Sequence, residues 1–297
     1  MNGPRHRSFA QRDHGVAWFS AVTIGSIFVA MFAAVRASAQ SAAEARTSSP
    51  TAQENTARNA APLPPALLLA RRSVEQYFAQ ATNVVCTEAV TQAVIGKNGK
   101  PAYREESVFD YQLQASTKGG SLKLIESRDT RKAAFRDAAR TLLITNGFAS
   151  MLLVVHPDYE NSFNFEPDGE ETTDGVTLTR IRFQPIPGGS SPAALQLRGQ
   201  NYPIPLSGTL WIDAKSGAVT KLIASVDSSL SDLGLQGMRS EIHYAMIQFH
   251  DPEETYWMPV SATIDVETPR QHWRNVHRFS SYKRFRASME IEIESKR

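Results

Sequence analysis

From Val84 onward the chain is dominated by apolar and polar residues that alternate with a period of two, the pattern of strands with one buried face. Tyr256, Met258, Val260, Ala262, Ile264 and Val266 take one parity, and Trp257, Ser261, Thr263, Asp265 and Glu267 take the other. Phe109, Tyr111 and Leu113 alternate in the same way with Val108, Asp110 and Gln112. Turn chemistry separates the segments at short intervals. Lys97-Asn98-Gly99 lies between Val84–Ile95 and Tyr103–Ala115, Gly119-Gly120 precedes Leu122–Ser127, and Asp213-Ala214-Lys215-Ser216-Gly217 joins Gly208–Asp213 to Ala218–Val226. Short turns can join only antiparallel neighbours, so the pattern predicts an antiparallel meander. Further strands are expected at Met151–Val155, Ser162–Glu166, Val176–Gln184, Arg239–Phe249, Tyr256–Glu267, His272–Arg286 and Ser288–Glu294, with loops at Pro185–Pro192 and Ser228–Gly237.

Two stretches leave the period of two. After Pro65, the residues Leu67, Leu68, Val74, Tyr77, Phe78 and Ala81 fall near helical spacing and predict a helix over Leu67–Ala81. Ala133, Ala134, Phe135, Ala138 and Leu142 predict a second over Thr130–Thr145, closed by Asn146-Gly147. A helix, a long meander and a helix inserted among the strands define an α+β class, mostly antiparallel β. The expected form is a strongly curved, open half-barrel sheet wrapped around helices, with a flat sandwich as the structural alternative. The one cysteine, Cys86, cannot make an intramolecular disulfide, so the core must stabilise the fold.

The N-terminus carries an address. Arg5, Arg7 and Arg12 precede an apolar run from Val16 to Val35, and Ala37-Ser38-Ala39 follows, as in a secretory signal. The run is also close to the roughly 20 residues that span a bilayer. Residues 1–39 are therefore expected to be a signal peptide, or an N-terminal anchor that keeps the chain on the membrane. Residues 40–65, rich in Ala, Ser, Thr and Pro, read as a disordered linker, and 66–297 as a single half-barrel domain. The expected location is periplasmic or secreted, membrane-anchored if the segment is retained. The full chain has 32 Lys+Arg and 30 Asp+Glu, a net charge of +2. Residues 1–39 hold four Arg and one Asp, so 28 bases and 29 acids remain, a net −1 that offers nothing to nucleic acid.

The best-defined local feature is the hairpin from Tyr256 to Arg286. A four-residue loop Thr268-Pro269-Arg270-Gln271 sets Glu267 opposite His272, Asp265 opposite Arg274 and Ser261 opposite Arg278. Trp273 and Phe279 then join the apolar face, while His272, Arg274, Arg278, Tyr282 and Arg284 lie on the polar one. Arg270, Arg274, Arg278 and Arg284 form a candidate anion or partner patch, and the alternative is a solvated strand face paired with Asp265 and Glu267. His272 and His277 have opposite parity and cannot share an ion on a strand, and no metal-binding motif is present. No nucleophile motif is present either, because Pro187-Gly188-Gly189-Ser190-Ser191-Pro192 lacks G-x-S-x-G. Asp168, Glu170, Glu171 and Asp174 read as a solvated turn. No cofactor and no enzymatic activity are expected. Trp211 and Trp257 look exposed and, with Gly147–Val155, could line a lipid-sized cavity or simply pack in the core.

Gly208-Thr209-Leu210-Trp211-Ile212-Asp213, followed through Ser216-Gly217 by Val219-Thr220-Lys221-Leu222, resembles a strand–turn–strand hallmark of the LolA/LolB-like superfamily of exported proteins. That group includes RseB-type and LppX-type relatives. Tyr256-Trp257-Met258-Pro259-Val260 resembles a later strand of the same group. The resemblance covers about residues 65–290, and it implies an open half-barrel closed by helices around an apolar cavity. Its candidate lining is Leu68, Phe78, Met258, Ile264, Trp273 and Phe279. The implied function is a non-enzymatic carrier of lipid or lipoprotein acyl chains. The alternative is a sensor or interaction module that docks an envelope protein.

Overall fold

The computed structural model describes residues 27–30, 63–80, 84–116, 123–132, 144–145, 147–159, 161–173, 175–197, 200–226, 230–250 and 253–284. The expected linker up to residue 62, the middle of the second helix at 133–143 and the strand Ser288–Glu294 lie outside the described residues. So does the expected signal, apart from 27–30.

The regular elements are β1 (Ile27–Ala30), α1 (Pro65–Gln80), β2 (Val84–Ile95), β3 (Pro101–Ser116), β4 (Lys123–Lys132), β5 (Ile144–Thr145), β6 (Phe163–Thr173) and β7 (Val176–Pro185). They continue with β8 (Ala194–Leu197), β9 (Gln200–Pro203), β10 (Ser207–Asp213), β11 (Val219–Ser225), β12 (Gly237–His250), β13 (Glu253–Glu267) and β14 (His272–Arg284). Ten strands form one open sheet in the order β4-β3-β2-β14-β13-β12-β11-β10-β7-β6. All its ladders are antiparallel. The last strand returns to pair with the first long one, β14 against β2, and this joins two meanders into a single sheet. A smaller sheet has the order β5-β1-β8-β9.

Helix α1 buries Leu67, Ala70, Val74, Tyr77 and Phe78, spaced so that one stripe meets the sheet near β10 and β3. Pro65 opens it, where a missing N–H costs nothing. The hairpin register expected from sequence is observed, with Glu267 on His272, Asp265 on Arg274 and Ser261 on Arg278. Ala262, Ile264, Val266, Trp273 and Phe279 are buried on the core face.

Several local expectations fail for physical reasons. Met151–Val155 is not a strand. Ser150–Val154 is a 3-10 turn buried on every side, and a short apolar run cannot distinguish the two. Thr130–Lys132 belongs to β4 and Ile144–Thr145 to β5, so the second helix does not extend over either end of its expected span. Asp168, Glu170 and Glu171 lie within β6, across a register shift between Pro167 and Glu170, with Asp168 bridged to Arg182 and near Arg180; Asp174 lies outside the described residues. The segment after Pro192 contains β8 and β9. Separately from these, Ile27–Ala30, which lies within the segment expected as a signal or anchor, pairs as β1 with β5 and β8.

Candidate functional site

At one end of the large sheet, the β13–β14 loop Thr268–Gln271 meets the β2–β3 turn and the turn from Leu230 to Leu235. Thr268 builds the loop locally. Its Oγ accepts from the Gln271 and Arg270 amides at 3.1 and 3.4 Å and donates to the Gln271 carbonyl at 3.0 Å. The Gln236 amide donates to the Glu267 carbonyl at 2.8 Å and fixes the neighbouring turn to the end of β13. These bonds shape the site without a ligand.

Two clefts share this loop. One, of about 530 Å³, is lined by Leu233, Gly234, Pro269, Gln271 and Trp273, with Arg270 at its side. The other, of about 500 Å³, is lined by Lys97, Glu267, Arg270, His272 and Arg274 among others. Both fall in the size range of small-molecule sites. The first has an apolar wall and the second an excess of cations. His272 Nε2 and Arg274 Nε each approach Asp265 Oδ1 at 2.8 Å, whereas Lys97 and Arg270 bridge to no acid among the described residues.

A second constellation lies on the core face and was not legible in the sequence. Glu88 on β2 accepts from Arg128 on β4 through both carboxylate oxygens, the Nη2 contact at 2.8 Å, and faces His277 Nδ1 on β14 at 2.7 Å. His277 Nε2 lies 2.7 Å from Thr145 Oγ1, which accepts from Asn275 Nδ2 at 3.2 Å. Glu88, His277, Thr145 and Asn275 are all buried. Burial alone would raise the Glu88 carboxyl, but bonds from His277 and Arg128 and the guanidinium charge outweigh it and hold the pKa below the ordinary value. Burial pushes the His277 imidazole down and keeps it neutral, against the pull of Glu88. An ionised carboxylate can only accept, so Nδ1 carries the ring proton and Nε2 accepts from the Thr145 hydroxyl. Every bond then runs in one direction, from Asn275 through Thr145 and His277 to Glu88.

Carboxylate, imidazole and hydroxyl in this order resemble a nucleophilic triad. The Thr145 hydroxyl is nevertheless enclosed, the residue being 3% exposed, and His277 is 2% exposed beneath the Phe148 ring at 4.5 Å. What the network does is hold a segment. Thr145 docks on His277, the Gly147 amide and Ser150 hydroxyl donate to Glu126 at 2.9 and 2.6 Å, and Tyr244 donates to the Phe148 carbonyl at 2.8 Å. Among the described residues, no three His, Cys, Asp or Glu side chains gather to hold a metal. Cys86 is buried, and burial pushes its thiol up to about 12, so it has no nucleophilic character.

The arginines expected as one patch are divided. Arg270 and Arg274 line the strand-end cleft, and Arg278 is exposed on the solvent face. Arg284 sits at the far end of β14, bonded to Glu254 and, at 2.9 Å, to the Tyr256 hydroxyl. A break in the β14–β2 register between Ser280 and Lys283, with Ser281 at φ 55°, sets Arg284 apart from the strand's alternation. Phe78, Met258, Ile264, Trp273 and Phe279 meet in one core cluster. Leu68 does not join them, being 46% exposed on the outer side of α1. Trp211 is buried beneath Lys221, whose Nζ lies 3.7 Å from the ring centre, and Trp257 is half-buried.

No family model matches the chain, and no curated protein matches it. Among solved structures it is similar to a LolA superfamily protein from Nitrosomonas europaea, with 12% identity, TM-score 0.38, and coverage of 78% of this chain and 97% of the other. It is also similar to a DUF1329 family protein from Desulfovibrio piger, with 13% identity, TM-score 0.32, and coverage of 76% and 94%. A third is lipoprotein LppX of Mycobacterium tuberculosis, with 12% identity, TM-score 0.25, and coverage of 73% and 94%. At these identities and TM-scores, no ligand and no residue's role carries over to this chain.

Proposed function

We propose that the chain is a non-enzymatic binding protein of the cell envelope, and that it holds an anionic amphiphile at the strand end around Thr268–Gln271. The observation that carries this reading is the sharing of one preformed loop by an apolar cleft and a cationic one. The core and solvent faces of a strand are opposite, so an acyl chain and its headgroup can meet apolar and cationic groups together only where strands end. Leu233, Pro269 and Trp273 supply the apolar wall, and Lys97 and Arg270, which bridge to no acid among the described residues, supply the charge. The export signal expected at residues 1–39 supports an envelope location. Among the described residues, no helix is long and apolar enough to cross a membrane.

The test is displacement of a fluorescent fatty acid from delipidated, folded protein. Saturable binding is expected, weakened several-fold by Arg270→Ala and by Leu233→Asp and reduced by salt in its electrostatic part. Absence of saturable binding would refute the reading and favour an interaction module. Binding indifferent to both substitutions would place the ligand elsewhere.

A further inference from the structure

One straight row of residues crosses the solvent face of the large sheet. Arg180 on β7 pairs with Trp211 on β10, Trp211 with Lys221 on β11, and Lys221 with His243 on β12; His243 pairs with Ser261 on β13, and Ser261 with Arg278 on β14. Paired residues share a face. The chain neighbours Ile181, Leu210, Leu222, Ile242, Ala262 and His277 are at most 2% exposed, so the row faces away from the core.

Three acids near this row are engaged by cations of the same face. Asp168 bridges to Arg182 at 2.5 Å and approaches Arg180, Glu241 lies 3.0 Å from His243 and 3.3 Å from Arg239, and Asp265 takes His272 and Arg274. Lys221, held over Trp211, and Arg278 have no acid partner among the described residues. Three strand spacings, roughly 14 Å, separate them. That is too far for one phosphate or carboxylate to bridge. Between and beside them stand His243 and the shorter Ser261, Thr263, Ile223 and Val276; Arg278 is exposed, and Lys221 is half-buried over Trp211.

We propose that this face docks on the surface of an anionic lipid bilayer. The charge complementarity is with a spread of anions rather than with one, which a bilayer of acidic headgroups presents at any orientation. A specific protein partner would centre on a buried apolar anchor, and Ile223 and Val276 are half-buried between polar rows. Attraction of this kind is additive over cations and falls with ionic strength. The site is separate from the strand-end clefts and stands or falls independently of them.

The test is vesicle flotation with the full chain, comparing wild type and Lys221→Glu/Arg278→Glu on neutral phosphatidylcholine vesicles and on vesicles that also contain phosphatidylglycerol. Binding to neutral vesicles measures the apolar part of the N-terminal segment, and the four arginines of that segment add the same anionic attraction to both proteins, so the face is read from the difference between them. The expected result is stronger binding to the anionic vesicles by wild type, abolished by high salt, and weakened at least roughly tenfold in the variant. Unchanged circular dichroism and thermal unfolding, with unchanged fatty-acid displacement, would confirm that the variant folds and keeps its cleft. Equal binding to the two vesicle types, or an anionic preference that is the same in wild type and variant, overturns the proposal. Capture of soluble polyglutamate without vesicle binding also overturns it and reassigns the face to an acidic protein.

Discussion

Gly217 and Leu69 touch through their backbones. A Cβ on Gly217 would stand 2.6 Å from the Leu69 carbonyl carbon and 2.7 Å from its Cβ and oxygen. The turn that ends the Trp211 strand is thereby pressed against α1. Gly217 also has φ +76°, a left-handed conformation, and the Asp213 carboxylate accepts from the Lys215 amide and Ser216 hydroxyl at 2.8 and 2.9 Å to set that turn.

Gly217→Ala should therefore cost more than backbone strain alone. Strain of about 1–2 kcal/mol adds to overpacking of about 1–3 kcal/mol. Gly175 is the control, with φ +78° and nothing within 4 Å of its built Cβ. Urea unfolding should show Gly217→Ala clearly less stable than Gly175→Ala. Equal losses would mean that the helix yields freely to the turn.

The Glu88–Arg128 pair should be strongly coupled. Glu88→Gln leaves the mostly buried Arg128 without its counter-charge and is expected to destabilise by about 3–5 kcal/mol. Glu88→Gln/Arg128→Met should lose less than the two single losses added together, which a double-mutant cycle of unfolding free energies measures. Additive losses would show that the two do not depend on each other.

Acid should weaken the fold through the same network. His277 has its folded pKa below the ordinary 6.5, so the unfolded chain takes up the proton first. Its contribution is complete above that value and is lost as pH falls through and below it. Glu88, held below its ordinary 4.5, adds a loss at still lower pH. Between pH 7.5 and 5, the wild type should lose stability at up to about 1.4 kcal/mol per pH unit from His277. His277→Gln, though less stable at pH 7.5, should follow a flatter profile. His156, also lowered by burial, remains in both proteins and cancels in the comparison. Parallel profiles would remove His277 from the acid response.

Within α1 the two apolar positions Phe78 and Leu68 should behave oppositely. Phe78 is 2% exposed and touches the Tyr77 ring at 4.8 Å and the His156 ring at 5.8 Å. Phe78→Asp should cost several kcal/mol, because a charge enters an apolar core unpaired. Leu68→Asp, on the outer side, should change thermal unfolding little. A large loss at Leu68 would mean that its face is covered.

The local order of this protein was written in its residues. Alternation fixes which residues of β13 and β14 share a face, and because a slip by one residue would invert both faces, the loop from Thr268 to Gln271 determines the whole register. Helical spacing after Pro65 located α1, although spacing alone placed Leu68 on the buried stripe, where the helix in fact turns it outward. The tertiary structure alone decided which distant strands would meet. Pairing of β14 with β2 carries His277 to Glu88, at a separation of 189 residues, and β4 brings Arg128 to the same carboxylate from 40 residues away. Strand periodicity shows which way a side chain points and not which strand lies beside it. The bonding partners of His277 and the two-sided cleft at Thr268–Gln271 therefore came into being only when the two meanders joined.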